Sequence, residues 1–361
     1  MESRGTRGYL TLEAKLMTGQ NEPALRQCLE RILPRVSNRQ SAIAAIYSRH
    51  SEASSSYETG ILTVQFADGG AFEVFLKNYG AFVQIKDEMK QRREREVRVY
   101  QHLLEEANLG TPRYYGTVWD ELPETFWLLL EYVDGTPVAY LESTNYWIAA
   151  AGWLGQMHGY FIRHAHYLSR LDFLIRHDSR FLSAEAEAAL DAVSQISPGS
   201  VDRFARVVNR YDQLIEAMVA HPPTLVHGAF RPQNVMVSGE SQSMRICAYD
   251  WEEAAFGAPL YDLAYLTDGF EPPTLDLMFE TYRQGAMGFG MPVPEKEEMR
   301  YIVNCFRLHM IVKLLAHAPV KHYGEREITK LLAAGEERFH LVHSAPPTWA
   351  SRYKVPSAET R

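Results

Sequence analysis

Strand-forming and helix-forming patterns occupy separate parts of this 361-residue chain. Before about residue 134, alternating apolar runs predict strands at 41–47, 60–66, 71–77, 113–118 and 125–132, and helical spacing predicts helices at 23–34 and 86–107. After about residue 137, helices are predicted at 144–170, 180–195, 200–220, 274–287 and 296–318, interrupted by one hairpin with strands at 235–237 and 244–249. The order predicts an α+β fold, in which a small antiparallel sheet with one long helix precedes a larger and mainly helical part.

A linker near Asp134-Gly135-Thr136-Pro137 separates the two parts, so we expect domains at 1–134 and 135–361. The composition, 46% hydrophobic and 23% charged, predicts folded structure nearly throughout. The net charge of -8 argues against a nucleic-acid-binding protein, since such domains are usually basic.

Targeting and membrane signals are not apparent in the sequence. The first eight residues are polar, which predicts no secretory signal, and no apolar run approaches the roughly 18 residues that a membrane span requires. The three cysteines, Cys28, Cys247 and Cys305, are far apart and have no metal-binding spacing, so reduced thiols are expected. We expect a cytoplasmic protein that is a monomer or a homodimer.

Residues 225–235 read Leu-Val-His-Gly-Ala-Phe-Arg-Pro-Gln-Asn-Val. This is the layout of a kinase catalytic loop, His-x-Asp-x-x-x-x-Asn, with His227 and Asn234 at the expected positions. Ala229 stands where that pattern has its aspartate. The loop therefore indicates phosphoryl transfer, and the alanine bears on how active the chain is.

Phosphoryl transfer from a nucleotide requires a cation on the phosphates and a slot for the base. Lys77 ends the strand Phe72–Leu76, where a fixed ammonium could reach the phosphates, although strands often end in an exposed lysine. Glu96 borders the apolar stripe of the 86–107 helix and could meet Lys77, with Glu94 and Glu88 as rivals. At the end of the 125–132 strand, Glu131 C=O and Val133 N–H could bind the base.

A metal site is indicated by Asn234 and by Asp250, which ends the strand Ile246–Tyr249. The predicted hairpin returns the chain, so both side chains could converge. An amide oxygen and a carboxylate are hard ligands that suit Mg²⁺.

Together these segments resemble the aminoglycoside phosphotransferase and choline kinase-like family, distant relatives of protein kinases. His227-Gly228-x-Phe230-Arg231-Pro232-Gln233-Asn234-Val235 is similar to the family's catalytic loop, and Tyr249-Asp250-Trp251-Glu252 to its metal-binding segment. Pro259-Leu260-Tyr261-Asp262-Leu263-Ala264 is similar to the start of a family helix. The resemblance spans about residues 40–320 and implies a bilobal protein-kinase-like fold whose N-terminal lobe binds nucleotide and whose C-terminal lobe carries catalysis and substrate binding.

The resemblance also implies residue roles. Lys77 would hold the phosphates and pair with Glu96, Asn234 and Asp250 would hold Mg²⁺, and His227 and Asp262 would brace the loop. Arg231 could contact the transferred phosphate, although it could equally be an ordinary surface arginine. Ser54, Ser55 and Ser56 lie in a serine-rich loop that would cover the phosphates in place of a glycine-rich one. The implied activity is an ATP- or GTP-dependent kinase of a small hydroxylated molecule.

The acceptor is less constrained by the sequence. Glu252, Glu253 and Asp268 follow the metal segment and could hold ammonium groups of an aminoglycoside or amino alcohol, which would suit antibiotic resistance, or could simply face solvent. A sugar, a nucleoside or another natural product remains an alternative acceptor.

Ala229 removes the family's proton-accepting carboxylate, and loss of a general base typically costs about 10²–10⁴-fold in rate. Nucleotide and metal binding do not need this side chain. Either an aspartate of the natural chain was replaced deliberately, or the protein is a natural pseudokinase, a nucleotide-binding regulator without turnover. We favour replacement, because decay after loss of function would spread to Lys77, Asn234 or Asp250.

Overall fold

The computed structural model describes residues 22–51, 57–82, 88–120, 125–208, 210–239 and 243–343. Contacts divide the chain into two compact units. The first lies within Met1–Met89 and Pro112–Asp134, and the second within Lys90–Thr111 and Gly135–Arg361. Residues 90–111 therefore group with the helical unit, whereas the sequence division at residue 134 placed them with the sheet. The assignment of a function to each lobe stays a prediction.

The strands begin and end as follows: β1 Ile43–His50, β2 Tyr57–Phe66, β3 Ala71–Phe82, β4 Tyr114–Asp120, β5 Thr125–Glu131, β6 Thr136–Pro137, β7 Ile175–His177, β8 Thr224–Val226, β9 Val235–Ser238, β10 Arg245–Ala248 and β11 Ala255–Gly257. The helices are α1 Glu22–Val36, α2 Met89–Val99, α3 Glu105–Ala107, α4 Thr144–Ile162, α5 Ala165–Leu168, α6 Ser179–Ile196, α7 Val201–Val208, α8 Tyr211–Met218, α9 Leu260–Leu266, α10 Thr274–Met287, α11 Lys296–Ala316 and α12 Glu325–His343. A π-helical turn at Tyr100–Leu104 joins α2 to α3.

The first unit is a five-stranded antiparallel sheet in the order β1-β2-β3-β5-β4, with α1 packed on it. Every second residue of a strand faces the helix, so the core alternates along the sequence. Its buried members include Leu25, Leu29 and Ile32 of α1 and Leu62, Val64, Val74, Leu76 and Leu129 of the strands. In β4, Gly116 faces Ile32 so closely that a Cβ atom would overlap its side chain.

Two differences from the sequence prediction concern helix ends and short elements. Helix α1 was expected to end at Pro34 but continues to Val36, and the Ser37 hydroxyl and N–H both donate to Leu33 O at its end. The loss of one donor in the last turn leaves the earlier hydrogen bonds of the helix intact. The sequence patterns also missed helix α12. They missed the three-residue strands β7, β8 and β11 as well, because such short strands show no period.

The second unit is mainly helical, with two three-stranded sheets in the orders β10-β9-β6 and β7-β11-β8. Helices α4 and α10 pack together through glycines: a Cβ atom on Gly155 would overlap the backbone of Tyr282, and one on Gly285 would overlap Gly152 O. This close approach requires residues without a side chain at the contact. Among the helices of the described residues, none has the length and apolar character that crossing a bilayer requires.

Candidate active site

The predicted catalytic loop lies in the second unit, between the buried strand β8 and the β9–β10 hairpin. In the hairpin, Val235 pairs with Ala248 and Ile246 with Val237. Tyr249 N–H then donates to Asn234 O at 3.0 Å, just outside the paired strands. Asn234 at the end of the loop and Asp250 after β10 are therefore brought to the same end of the hairpin, as the spacing predicted.

Asp262 holds the first residues of the loop. Its carboxylate is fully buried and accepts the backbone N–H of His227 at 2.6 Å and of Gly228 at 2.9 Å. His158 Nε2 donates to the same carboxylate at 3.3 Å, while its Nδ1 accepts from Tyr282 OH at 3.0 Å. These donors compensate the burial of the negative charge. The bracing role implied for Asp262 therefore has a direct geometric basis.

His227 is buried in a neutral form. Burial lowers the pKa of its imidazole, and the charge of Asp262 only partly opposes this effect. Ala229 N–H donates to Nδ1 at 3.3 Å, so Nε2 carries the proton and donates to Tyr249 O at 2.9 Å. The histidine thus links the loop to the hairpin through a fixed tautomer.

Gly228 must be glycine for two independent reasons. Its φ of +79° is in the left-handed region, and a Cβ atom there would overlap the Glu253 carbonyl. The next residue, Ala229, is half-buried, and its carbonyl accepts from Arg231 N–H at 2.7 Å, which closes a tight turn that starts at Ala229. The loop backbone therefore keeps a tight turn at the position where the family pattern has its carboxylate.

Asn234 and Asp250 fit a magnesium site by donor chemistry. The Nδ2 atom of Asn234 donates to Ala229 O at 3.0 Å, which orients the amide and assigns Oδ1 as its possible metal ligand. Within the described part of the chain, no group of three or more His, Cys, Asp or Glu side chains is placed to hold a metal. Two oxygen ligands supplemented by water and phosphate are a usual arrangement for Mg²⁺.

Asp250 has an unusual backbone conformation, with φ 67° and ψ 61°, in the left-handed region that aspartate tolerates better than most residues. It is followed by the short 3₁₀ turn Trp251–Glu253. The conformation ends the β10 strand and turns the chain back toward the loop. Such a conformation at a proposed ligand position is typical of functional sites.

Helix α2 is bound within the second unit through two adjacent residues, Arg95 and Glu96. Glu96 Oε1 accepts Trp251 N–H at 3.3 Å, next to Asp250. Arg95 is buried and donates to Phe173 O at 2.9 Å and to Glu252 O at 2.5 Å. Glu96 thus contacts the residue that follows Asp250, and its pairing with Lys77, which belongs to the first unit, stays a prediction.

Lys77 is a charged residue buried within the sheet of the first unit. On β3 it lies opposite Thr59 and Leu128, and its Nζ is 5.3 Å from the Tyr57 ring centroid and 5.5 Å from that of Tyr79. Aromatic faces attract an ammonium and so moderate its burial.

The proposed base-binding segment follows β5. Glu131 N–H donates to Arg113 O at 2.9 Å, and its carboxylate accepts Arg113 N–H at 3.1 Å. Val133 is buried two residues later. The roles of Glu131 C=O and Val133 N–H stay predictions, and Ser54, Ser55 and Ser56 lie outside the described residues.

The three acids assigned to the acceptor are all bound to cations of the chain. Glu252 is buried and lies 3.9 Å from Arg92, which also forms an ion pair with Glu253. Asp268 is exposed and contacts Arg338 at 3.0 Å and Arg307 at 3.6 Å. Arg231 is exposed, with its guanidinium carbon 5.5 Å from the Tyr265 ring centroid.

Sequence reasoning missed Arg92, Arg95 and His158 as parts of the site. Each of the three binds a residue more than 100 positions away in the chain: Arg92 binds Glu253, Arg95 binds Glu252 and His158 binds Asp262. Arg95 also donates to Phe173 O. The residues that neighbour a charged residue in a helix do not indicate a partner so far away in the sequence. His158 itself is buried.

Comparison with known proteins identifies a family and a fold. Residues 63–300 match the model of the phosphotransferase enzyme family. The fold is similar to the GDP and kanamycin complex of APH(2")-IIia, with TM-score 0.52, 13% identity and coverage of 90% of this chain and 99% of that one. No curated protein matches the sequence significantly.

Two further structures extend the comparison. An aminoglycoside phosphotransferase from Alicyclobacillus acidocaldarius is 14% identical with TM-score 0.52, covering 88% of this chain and 95% of that one. Choline kinase LicA from Streptococcus pneumoniae is 12% identical with TM-score 0.55, covering 89% and 99%. At these identities the structures support the α+β, protein-kinase-like fold alone. With the family model matching most of the chain, the protein belongs to the phosphotransferase enzyme family.

Proposed function

We propose that this protein binds a nucleoside triphosphate, Mg²⁺ and a small hydroxylated molecule, and that Ala229 makes the transfer of the phosphoryl group slow. The supporting observation is the preserved polar framework around Ala229. Asp262 accepts two loop N–H groups, and Asn234 donates to the carbonyl of Ala229 itself. A loop that retains this framework retains the geometry for binding, while a methyl group cannot accept the proton of an acceptor hydroxyl.

Nucleotide binding is assigned to residues of the first unit. Lys77 would hold phosphates, Glu131 C=O and Val133 N–H would bind the base, and Ser54–Ser56 would cover the phosphates. GDP is bound in the APH(2")-IIia relative, which supports a nucleotide here, and both ATP and GTP fit the assignment. Lys77 is buried and lies close to two aromatic rings. This environment supports a functional role for its charge and differs from that of an ordinary surface lysine.

The chemistry of transfer would depend on Asn234 and Asp250, which supply oxygen ligands, and on Arg231, which is exposed at the loop. Mg²⁺ bound there would neutralise charge that develops on the transferred group. Arg231 would contact that group, because a guanidinium binds phosphate oxygens through several donors.

The test is to replace Ala229 with aspartate. We expect Ala229→Asp to raise nucleotide-dependent phosphorylation by about 10²–10⁴-fold, because it restores a general base. ADP release is measured across amino alcohols, aminoglycosides, sugars and nucleosides. Ala229→Asn has a similar shape without the basic oxygen and should remain slow. An Ala229→Asp protein that phosphorylates none of these compounds would contradict the proposal.

A second candidate is a nucleotide-binding regulator without turnover, which Ala229 itself favours. Thermal stabilisation by nucleotide in both the Ala229 and the Ala229→Asp forms, without any phosphorylation, would support it. The first candidate is preferred because Lys77, Asn234 and Asp250 are all present, which favours an alanine substituted into a working site over gradual decay.

A further inference from the structure

The helix that binds Trp251 continues into an unusual turn. After α2, residues Tyr100–Leu104 form a π-helical turn before the chain returns to α-helix in α3. Their sequence, Tyr-Gln-His-Leu-Leu, contains neither proline nor glycine, so no local helix-breaking residue imposes the turn. Single π-helical turns inside helices are rare and occur frequently at functional sites. The turn therefore indicates that the residues around it do more than pack.

Tyr100 begins this turn and carries a buried hydroxyl. Its side chain is only 1% exposed, and its OH has no hydrogen-bond partner among the described residues. Burying a hydroxyl without a partner costs stability, whereas a phenylalanine would fill the same space without that cost. An unsatisfied buried group in a native protein is commonly explained by a catalytic role or by a bound water or ion. The hydroxyl is thus a donor that the described protein groups do not use.

Two carboxylates lie near this hydroxyl. Glu96 precedes Tyr100 by four residues, about one helical turn, and accepts Trp251 N–H at 3.3 Å, which attaches the helix to the residue that follows Asp250. Burial raises the pKa of the Tyr100 phenol well above its ordinary value, and the charges of Glu96 and Asp250 add to this effect. Tyr100 therefore keeps its proton at neutral pH and can donate it to an acceptor.

Of these two acids, Asp250 is the one whose orientation matters for a metal. A carboxylate that binds a metal through one oxygen can accept a hydrogen bond on the other, and such contacts orient metal ligands. The left-handed backbone of Asp250 fixes where its side chain begins but leaves the carboxylate to rotate. Glu96 is already engaged by Trp251 N–H. A hydrogen bond from Tyr100 would fix the rotation of the Asp250 carboxylate.

We propose that Tyr100 is a positioning residue of the metal site: its hydroxyl donates to the Asp250 carboxylate when that carboxylate binds the metal, and so holds it in the binding orientation. Metal binding thereby gives the buried hydroxyl its partner. Tyr100 acts through Asp250 and does not itself touch the nucleotide or the acceptor. The proposal rests on the proposed function, because it concerns the metal of that reaction.

The test measures the affinity for Mn²⁺, which serves as the probe for the Mg²⁺ site. Mn²⁺ is added to the protein without nucleotide, and the free ion is counted by electron paramagnetic resonance. We expect Tyr100→Phe to weaken Mn²⁺ binding by about tenfold, since losing a hydrogen bond to a ligating carboxylate typically costs about 10–100-fold in metal affinity. Without Mn²⁺, the same variant should resist urea at least as well as the parent, because it removes an unsatisfied buried hydroxyl. A purely structural tyrosine would not show this combination.

Tyr211→Phe is the matched control. Tyr211 is likewise buried, but its hydroxyl is hydrogen-bonded to His309 Nδ1 at 2.6 Å. This variant should lower the resistance to urea, because it leaves His309 without that partner, and should leave the Mn²⁺ affinity unchanged. Adding Tyr100→Phe to Asp250→Asn should cause no further loss of Mn²⁺ affinity, because the carboxylate that the hydroxyl orients is already gone.

Equal Mn²⁺ affinities of Tyr100→Phe and the parent protein, or a parent that binds no Mn²⁺, would overturn the proposal. The same holds if the loss caused by Tyr100→Phe persists undiminished in Asp250→Asn, because the hydroxyl would then act on another group. ATP binding is measured separately by calorimetry in the presence of EDTA. Its absence would count against the proposed function and not against the role of Tyr100.

Discussion

At the scale of single residues, the loop depends on one buried carboxylate. Asp262 receives two backbone N–H groups and His158, so it fixes both where the loop begins and how it is oriented. Removing the charge from a buried carboxylate whose hydrogen bonds are all made leaves the donor groups unsatisfied. The resulting loss of stability is far larger than the loss from breaking a surface ion pair.

We expect Asp262→Asn to lower the free energy of unfolding by about 2–4 kcal/mol, because an amide NH₂ would face N–H donors. Asp276→Asn breaks the partly exposed ion pair with Arg300 and should cost less than about 1 kcal/mol. Urea unfolding of the two variants measures the difference. Equal losses would show that Asp262 does not have the structural role described.

At the scale of elements, the α4–α10 contact shows tertiary packing overriding helix propensity. Alanine is favoured over glycine in a helix interior by about 1 kcal/mol, so local preference alone would disfavour Gly152, Gly155 and Gly159 in α4. A Cβ atom at Gly155 or Gly159 would overlap the backbone of α10, so the two helices approach closely only with these glycines.

We therefore expect Gly155→Ala to destabilise the protein by about 1–3 kcal/mol through overpacking. Gly335→Ala in α12 is the matched control, because its new Cβ would lie at an ordinary 3.5 Å from Ile311. That variant should be stabilised by up to about 1 kcal/mol from propensity. Thermal and urea unfolding distinguish the two signs, and a stabilising Gly155→Ala would refute the packing argument.

At the scale of the whole molecule, the stability of the fold is coupled to pH through buried imidazoles. Burial, followed by the nearby Lys313 charge, lowers the pKa of His309 to about 3. Burial also lowers the pKa of His177 and His227. Because these folded-state pKa values lie below the unfolded value of about 6.5, their contribution is present above pH 6.5 and is lost as pH falls below it.

Between pH 7 and pH 5, His309 alone should account for about 2 kcal/mol of lost stability, because unfolding lets its imidazole bind a proton. His309→Gln should reduce the pH dependence by that amount, and His166→Gln, at an exposed position, should not. Urea unfolding at a series of pH values measures both. Burial raises the pKa of Glu185, which acts in the opposite direction but is common to all three proteins. Identical pH profiles would contradict the assignment.

The sequence determined the features that depend on neighbouring residues. The alternation of Leu62 and Val64 in β2 and of Val74 and Leu76 in β3 predicted the sheet, because adjacent side chains point to opposite faces. The spacing of His227, Asn234 and Asp250 predicted the loop and hairpin, because a short turn returns the chain within a few residues. The α+β class and the family followed from these local patterns.

Only the tertiary structure decided which charges meet. His158 and Asp262 are 104 residues apart, and Arg92 and Glu253 are 161 apart, so no periodicity or motif connects them. Packing brings them together, and burial then makes each ion pair or hydrogen bond obligatory because an unpaired charge in the interior is costly. The sequence thus indicated acids after the predicted metal ligand Asp250, and the fold showed that they form ion pairs with cations of the chain itself.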